Sequence, residues 1–262
     1  MLLMGGLQVK SKRIEEMEHY IRLKEKVTLD ELCDVFDVSK NTVRRDVNEI
    51  IKNDGYEKVY GGVEFVRNYL LPFEERNQRA VEEKKLIARM ASKEIEEGDI
   101  LFIDSGTTTQ YIPEYLNRDI QLTVLTNSLN VVNGFVSFPN VSLILIGEIY
   151  KRKTNSFVGL DKSSLLDKYN IHKAFMAATA ASIKSGLTNS DNQEYAIKRA
   201  VAGKSLKVYA LLDNEKIGNS ALVTYAKLDQ LDAIITNAAL NAEYTEYMKD
   251  AGVEVIIADT DF

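Results

Sequence analysis

Two groups of residues carry side chains suited to chemistry. The first is Ser39-Lys40-Asn41-Thr42 with Arg44 and Arg45. Guanidinium forks grip guanine edges or phosphates, an asparagine amide pairs with adenine, and ammonium and hydroxyl groups meet the phosphate backbone. Val38 to Arg45 contains no acidic residue, although residues 1–66 hold 11 Lys+Arg against 13 Asp+Glu. Positive charge is segregated rather than abundant, as a local DNA-reading face on an acidic chain requires. The second group is Asp104-Ser105-Gly106-Thr107-Thr108-Thr109, a glycine turn running into three hydroxyl residues. Before a helix, such a turn offers backbone N–H groups and hydroxyls to an anion without needing a lysine. Thr126-Asn127, Gly147 with the basic run Lys151-Arg152-Lys153, and Asp213 with Lys216 stand at or just beyond the ends of other apolar runs. Ligands of open α/β sheets bind at the carboxyl ends of strands, so these ends predict one crevice in which the cations neutralise an acidic ligand. Neither G-x-x-x-x-G-K-[ST] nor G-x-G-x-x-G occurs, which disfavours nucleotide hydrolysis and dinucleotide binding.

The elements that must position these groups follow from periodicity. Ile14, Met17 and Ile21 predict an amphipathic helix ending near Lys26. Thr28 and Glu31 predict a capping box on a short second helix, with Leu29, Leu32, Val35 and Phe36 as its buried stripe and Cys33 on the same apolar side. Ser39 caps a third helix with apolar positions Val43, Val47, Ile50 and Ile51, stopped by Asn53-Asp54-Gly55. Glu57 to Phe65 reads as strand, glycine turn and strand, a β-wing presenting Lys58 and Tyr60. Helix, helix, turn, helix and wing place the start of the third helix in a major groove. Residues 67–81 read as a linker, and a long helix is expected from about Glu82 to Glu96. Beyond Asp99, compact apolar runs alternate with helical stretches, which predicts a buried, mostly parallel sheet flanked by helices. The expected organisation is a small α+β winged helix-turn-helix domain (1–66), a linker (67–81) and an α/β effector-binding domain (82–262).

Composition excludes several classes. The chain has 262 residues, 45% hydrophobic and 27% charged with 3 Pro, which is globular rather than low-complexity. The longest apolar candidate, Val141 to Gly147, has strand length, so no membrane helix is expected. Met1 to Leu7 lacks a basic leading region, which predicts a cytoplasmic protein without a membrane partner. One cysteine, Cys33, and two histidines, His19 and His172, provide no set for a disulfide, a structural zinc or an iron–sulfur cluster, so no metal or cofactor is expected. The net charge of −6 requires any nucleic-acid contact to come from a local face.

Val38-Ser39-Lys40-Asn41-Thr42-Val43-Arg44-Arg45-Asp46-Val47, followed by Tyr60-Gly61-Gly62-Val63, resembles the winged helix-turn-helix of the DeoR family, whose usual strings are VS-x-x-T-[IV]-RRDL and HGGA. Val47 stands for the usual Leu and Tyr60 for the usual His. Asp104 to Thr109, Thr126-Asn127, Gly186 to Asn189 and Asp213 to Lys216 resemble the sensor domain of the same family, which is similar in fold to ribose-5-phosphate isomerase. Glu215 replaces the Ser of the family's D-x-S-K. The resemblance runs from about Ile14 to Phe262 and implies a homo-oligomeric regulator, dimer or tetramer, that binds operator DNA and a phosphorylated sugar or sugar acid. Leu29 to Cys33, Glu57 to Val63 and Tyr150 to Thr154 look most like the myo-inositol catabolism repressor branch.

Two other readings compete. A sugar-phosphate isomerase with an accessory DNA-binding domain needs a carboxylate base at the substrate. Phe175 to Ala181 offers only Ala, Met and Thr beyond its Phe where the isomerases carry acids, which argues for a sensor, although Asp104, Asp191, Glu194 and Asp213 remain available. The helical unit could instead be a protein-interaction module, which salt-dependent DNA binding distinguishes.

Overall fold

The computed structural model describes residues 2–52, 55–65, 72–159 and 165–258. Asn53-Asp54 of the expected helix stop, Val66 and residues 67–71 of the expected linker lie outside the described residues. The chain forms two compact units, Met1–Leu71 and Pro72–Phe262.

In the first unit α1 (Leu2–Lys24) precedes β1 (Lys26–Thr28), α2 (Leu29–Phe36), α3 (Lys40–Ile50), β2 (Tyr56–Val59) and β3 (Gly62–Phe65). Met17 and Ile21 of α1, Leu32 of α2, Val43, Val47 and Ile50 of α3, and Val27 and Val63 of the sheet share one core. α1 ends before Lys26 because Glu25 turns to positive φ, freeing Lys26–Thr28 to pair with β3 in a three-stranded sheet ordered β1-β3-β2. The wing is thus three strands rather than a lone hairpin. Gly62 is required at that pairing, since a Cβ there would lie 2.2 Å from the carbonyl oxygen of Val27. Two expectations for α2 are corrected. Glu31 N donates to Thr28 Oγ1, but the Glu31 carboxylate accepts from Tyr20 Oη at 3.0 Å instead of closing a capping box. Val35 is 48% exposed, because the stripe of an eight-residue helix turns away from α1 and α3 there, and Cys33 is half-buried.

The second unit opens with α4 (Phe73–Asn77) and α5 (Val81–Ser92), so the expected linker carries a helix. α5 ends at Ser92 rather than Glu96 because the bonding pattern tightens: Lys93, Glu94 and Ile95 donate three residues back, to Met90, Ala91 and Ser92. There follow β4 (Ile100–Ile103), β5 (Leu122–Thr126), α6 (Leu129–Phe135), β6 (Val141–Leu145), β7 (Ile149–Lys151), β8 (Ser156–Val158), β9 (Lys173–Ala177), β10 (Ala180–Ser182) and β11 (Gly186–Asn189). The unit ends with α7 (Tyr195–Lys204), β12 (Lys207–Leu211), β13 (Val223–Ala226), β14 (Ala233–Thr236), α8 (Ala242–Ala251) and β15 (Glu254–Ile257).

Seven strands form one parallel sheet in the order β15-β14-β12-β9-β4-β5-β6. Alternate residues of each strand enter opposite cores: Phe102, Ala174, Met176 and Ala210 pack with α7 and α8, and Leu101, Ile103, Phe175 and Leu211 pack with α5 and α6. A sheet covered on both faces needs continuous apolar runs, which is why these strands read as such. β10, β11 and β13 make a small antiparallel sheet, and β7 and β8 a hairpin. The chain proceeds from β4 outward through β5 and β6, then returns to β9 on the other side, so strand order reverses between β4 and β9. That is the switch point at which open α/β sheets bind ligands.

Candidate nucleic-acid interface and ligand crevice

In α3, burial separates two faces. Val43, Asp46, Val47 and Ile50 are buried, and Asn41, Arg44, Arg45 and Asn48 are exposed. Among the described residues no carboxylate pairs with Arg44 or Arg45, so the cationic start of the helix is available to an anionic partner. Ser39 and Thr42 serve the helix itself: Ser39 Oγ accepts from Thr42 N at 3.3 Å, and the two hydroxyls lie 3.0 Å apart. Lys40 Nζ reaches Asp30 at 2.5 Å. Asp46, 1% exposed, accepts from Arg13 Nε at 2.7 Å, a bond that raises the arginine's pKa and ties α3 to α1. Glu49 pairs with Lys52. Asn48, one helical turn beyond Arg44, shares the exposed face, and the sequence reading missed it. Lys58 is exposed on β2, and Tyr60 is fully exposed at the wing tip, where Gly61 takes the positive φ of the turn.

At the switch point of the second unit, Asp104 is fully buried just after β4. Its Oδ2 accepts from Ala177 N at 2.9 Å and from Lys198 Nζ, which also donates to Ala177 O at 2.8 Å. Tyr225 Oη donates to the same carbonyl at 2.9 Å, and burial together with the charges of Asp104 and Glu194 pushes its pKa well up. Ser105 Oγ donates to Glu194 Oε1 at 2.9 Å and accepts from Asn127 Nδ2 at 3.1 Å. Glu194 also accepts from Ser156 Oγ at 2.8 Å and from Asn189 Nδ2 at 3.0 Å. Lys151 pairs with Asp191, and Lys216 pairs with Asp213 at 2.9 Å.

The hydroxyl turn is buried and leads into a 3-10 helix, Thr109–Tyr115, where an ordinary helix start was expected. Pro113 inside it has no N–H for an i→i−4 bond. Several expected contact residues shape the turn. Thr109 Oγ1 accepts from Gly106 N at 2.9 Å and donates to Asp104 O at 2.6 Å. Thr126 Oγ1 donates to Ile103 O at 2.6 Å. A Cβ on Gly106 would lie 2.4 Å from the Ala177 Cβ, and Gly147 adopts a φ of +103° against Phe157. Other groups stay available. Thr108 Oγ1, Asn127 Oδ1 and Asp104 Oδ1 are buried without a hydrogen-bond partner among the described residues. No acceptor among those residues reaches the backbone N–H of Thr107 or Thr108. The basic run divides: Lys151 faces Asp191, and the Arg152 and Lys153 side chains are exposed.

Four further groups belong to this crevice. Asp191 and Glu194 read in the sequence only as available carboxylates, and Lys198 and Arg76 did not stand out at all. Burial lowers the pKa of Arg76, which Glu194, Asp104 and Asp191 partly restore. Lys84 Nζ donates to Arg79 O at 2.6 Å and to Arg76 O; burial, with Lys216 nearby, lowers its pKa from 10.5 to about 8. A buried cation in a mixed-charge run carries no periodic signal, so only the fold exposes it.

Among the described residues, no helix is long and apolar enough to cross a membrane. Comparison with known proteins identifies a DeoR-like helix-turn-helix domain over residues 13–68 and a DeoR C-terminal sensor domain over residues 79–238. The HTH-type transcriptional regulator IolR of Bacillus subtilis (strain 168) is 49% identical over 251 residues, covering 95% of this chain and 100% of that protein. The glycerol-3-phosphate regulon repressor of Escherichia coli (strain K12) is 26% identical over 230 residues, covering 87% of this chain and 91% of the repressor. Among solved structures, ribose 5-phosphate isomerase A of Methanocaldococcus jannaschii aligns with a TM-score of 0.38 at 17% identity, covering 51% of this chain and 53% of the isomerase. With both of its units matched, the chain belongs to the DeoR family of DNA-binding transcriptional regulators.

Proposed function

We propose that this regulator represses a carbohydrate catabolic operon, that for inositol use, and that a phosphorylated sugar-derived metabolite bound at the β4–β9 switch point releases it from its operator. The observation that carries this reading is one chain holding both an exposed Asn41, Arg44 and Arg45 face and, in its other unit, a buried turn with open N–H donors beside basic side chains. The inositol assignment draws on the family-branch strings and on the identity to IolR. The anionic effector is in keeping with a relative named for a glycerol-3-phosphate regulon. Release requires a coupling free energy, typically about 1 to 3 kcal/mol, between metabolite and operator. Two linked readers in a homo-oligomer raise avidity without a new contact, and a ligand that alters their spacing lowers it.

Turnover is not part of this reading. Most carboxylates at the switch point are engaged: Glu194 by Ser105, Ser156 and Asn189, Asp191 by Lys151, Asp213 by Lys216, and Asp104 through Oδ2 by Lys198 and Ala177 N, which leaves Asp104 Oδ1 as the oxygen through which a base would have to act. A general base needs a free lone pair within reach of substrate. The test is titration of a duplex from the regulated promoter, with and without phosphorylated sugars and sugar acids. A metabolite that weakens binding supports the proposal. Turnover of a sugar phosphate that Asp104→Asn or Asp213→Asn abolishes would replace it with the isomerase reading.

A further inference from the structure

Three side-chain atoms at the carboxyl end of the sheet are left over by the fold. Asp104 Oδ1, Asn127 Oδ1 and Thr108 Oγ1 have no hydrogen-bond partner among the described residues, and their residues are 0%, 0% and 1% exposed. An unpaired buried acceptor is costly, and in native folds such atoms are few. Asp104 and Asn127 stand side by side. β4 and β5 pair in parallel with Ile103 opposite Thr126, so the next residue of each lies one step past the paired ends, on strands about 4.8 Å apart. Phe102 and Leu125, two residues back, enter the same core, which sets Asp104 and Asn127 over one face of the sheet.

The surrounding bonds determine which atoms stay open. Lys198 Nζ and Ala177 N both donate to Asp104 Oδ2, leaving Oδ1. Ser105 Oγ gives its proton to Glu194 Oε1, so toward Asn127 it accepts; the amide therefore turns its NH2 to Ser105, and Oδ1 is the atom without a donor. Phe157 O, 3.5 Å from Asn127 Nδ2, favours the same orientation. Neighbouring donors are committed elsewhere: Thr126 Oγ1 to Ile103 O, Tyr225 Oη and Lys198 Nζ to Ala177 O.

Two of the three open atoms only accept, and the third is a hydroxyl that donates or accepts. A phosphate or carboxylate oxygen has no proton to give them and meets the Asp104 carboxylate with like charge. A ligand hydroxyl donates to Asp104 or Asn127 and accepts from Thr108, which neither an anion nor an ammonium does. We infer that Asp104 Oδ1, Asn127 Oδ1 and Thr108 Oγ1 read the hydroxyls of the metabolite: the ligand is a polyol with at least two free hydroxyls at this end and its anionic group held away from Asp104. The inference rests on the reading of the switch point as the metabolite site and adds the part of the ligand that confers selectivity. A phosphorylated chain stripped of hydroxyls leaves the three atoms unpaired and is rejected on that ground.

The experiment titrates the full chain, by thermal unfolding and calorimetry, with two matched pairs. The first is 6-phosphogluconate against 6-(phosphonooxy)hexanoate, the same skeleton without hydroxyls; the second is glycerol 3-phosphate against propyl phosphate. In each pair that binds, the hydroxylated member is expected to bind the wild type at least about tenfold more tightly, the worth of one hydrogen bond to a charged group. Thr108→Val removes a hydroxyl that makes no bond within the chain, and Asn127→Ala removes the amide. Both should weaken the hydroxylated member several-fold and leave the stripped one unchanged, so the ratio within the pair contracts. If Asn127→Ala does not melt cooperatively, Thr108→Val decides. A ratio near one in the wild type, the result if ordered waters alone serve the three atoms, overturns the inference and leaves the site reading standing. A ratio that neither variant changes does the same. A wild type that none of the four compounds stabilises overturns both.

Discussion

Arg44 and Arg45 leave α3 about 100° apart around the helix axis, so a single groove cannot receive both in the same way. Arg44 shares its exposed face with Asn41 and Asn48, three residues before and four after it, and under the proposed function it is the one that reads base edges. Arg44→Ala should weaken operator binding by about 1 to 3 kcal/mol and reduce discrimination against a scrambled duplex, as competition titration measures. Unchanged affinity in both Arg44→Ala and Arg45→Ala would remove the recognition-helix assignment. Ser39→Ala should act through the helix instead, costing about 1 kcal/mol of stability while base discrimination persists. Lys84 supplies a pH signature. Its folded pKa of about 8 lies below its ordinary 10.5, so between these values the unfolded chain binds more protons and stability rises with pH. Chemical denaturation followed by circular dichroism should show that rise in the wild type and its loss in Lys84→Met. An identical pH profile in the two proteins would mean that Lys84 ionises like an exposed lysine.

Among elements, α1 ties α3 to the wing strands. Arg13 fixes α3 through buried Asp46, and Arg22 donates to Tyr56 Oη at 3.2 Å and lies over the Phe65 ring, reaching β2 and β3. Arg13→Met strands a buried carboxylate. The cost should be about 2 kcal/mol, below that of a fully buried pair because Arg13 is partly exposed. Asp46→Asn in the Arg13→Met background should recover part of it, since the amide carries no charge to strand; no recovery would mean that Arg13 acts through packing alone. At the wing, Gly62→Ala forces a Cβ against Val27 O and should separate β1 from β3, destabilising the first unit by about 1 to 3 kcal/mol. Loss of DNA binding without loss of the second unit's melting transition is the expected result.

Across the whole molecule, a net charge of −6 opposes approach to DNA, and the local cationic face must overcome it. The logarithm of operator affinity should fall linearly with log salt as bound counterions are released. Lys58→Ala on the wing should reduce that slope by about one while weakening all sequences alike, the signature of a phosphate contact. A slope equal to that of the wild type would place Lys58 off the DNA.

Periodicity and capping residues determined α2, α3, the wing pair and the apolar strands, because each is a local pattern of burial and turn chemistry. The motif strings likewise carried the family. The tertiary structure decided which polar groups of the turn stay unpaired and which build the turn itself. Thr109 and Thr126 look like Thr107 in the sequence, yet their hydroxyls close backbone carbonyls in the folded chain. Asp104 and Lys198 lie 94 residues apart and meet only because β4 and β9 pair in parallel with α7 packed against them. A contact made by long-range strand pairing leaves no period along the chain, which is why Arg76, Lys84 and Lys198 emerge only from the fold.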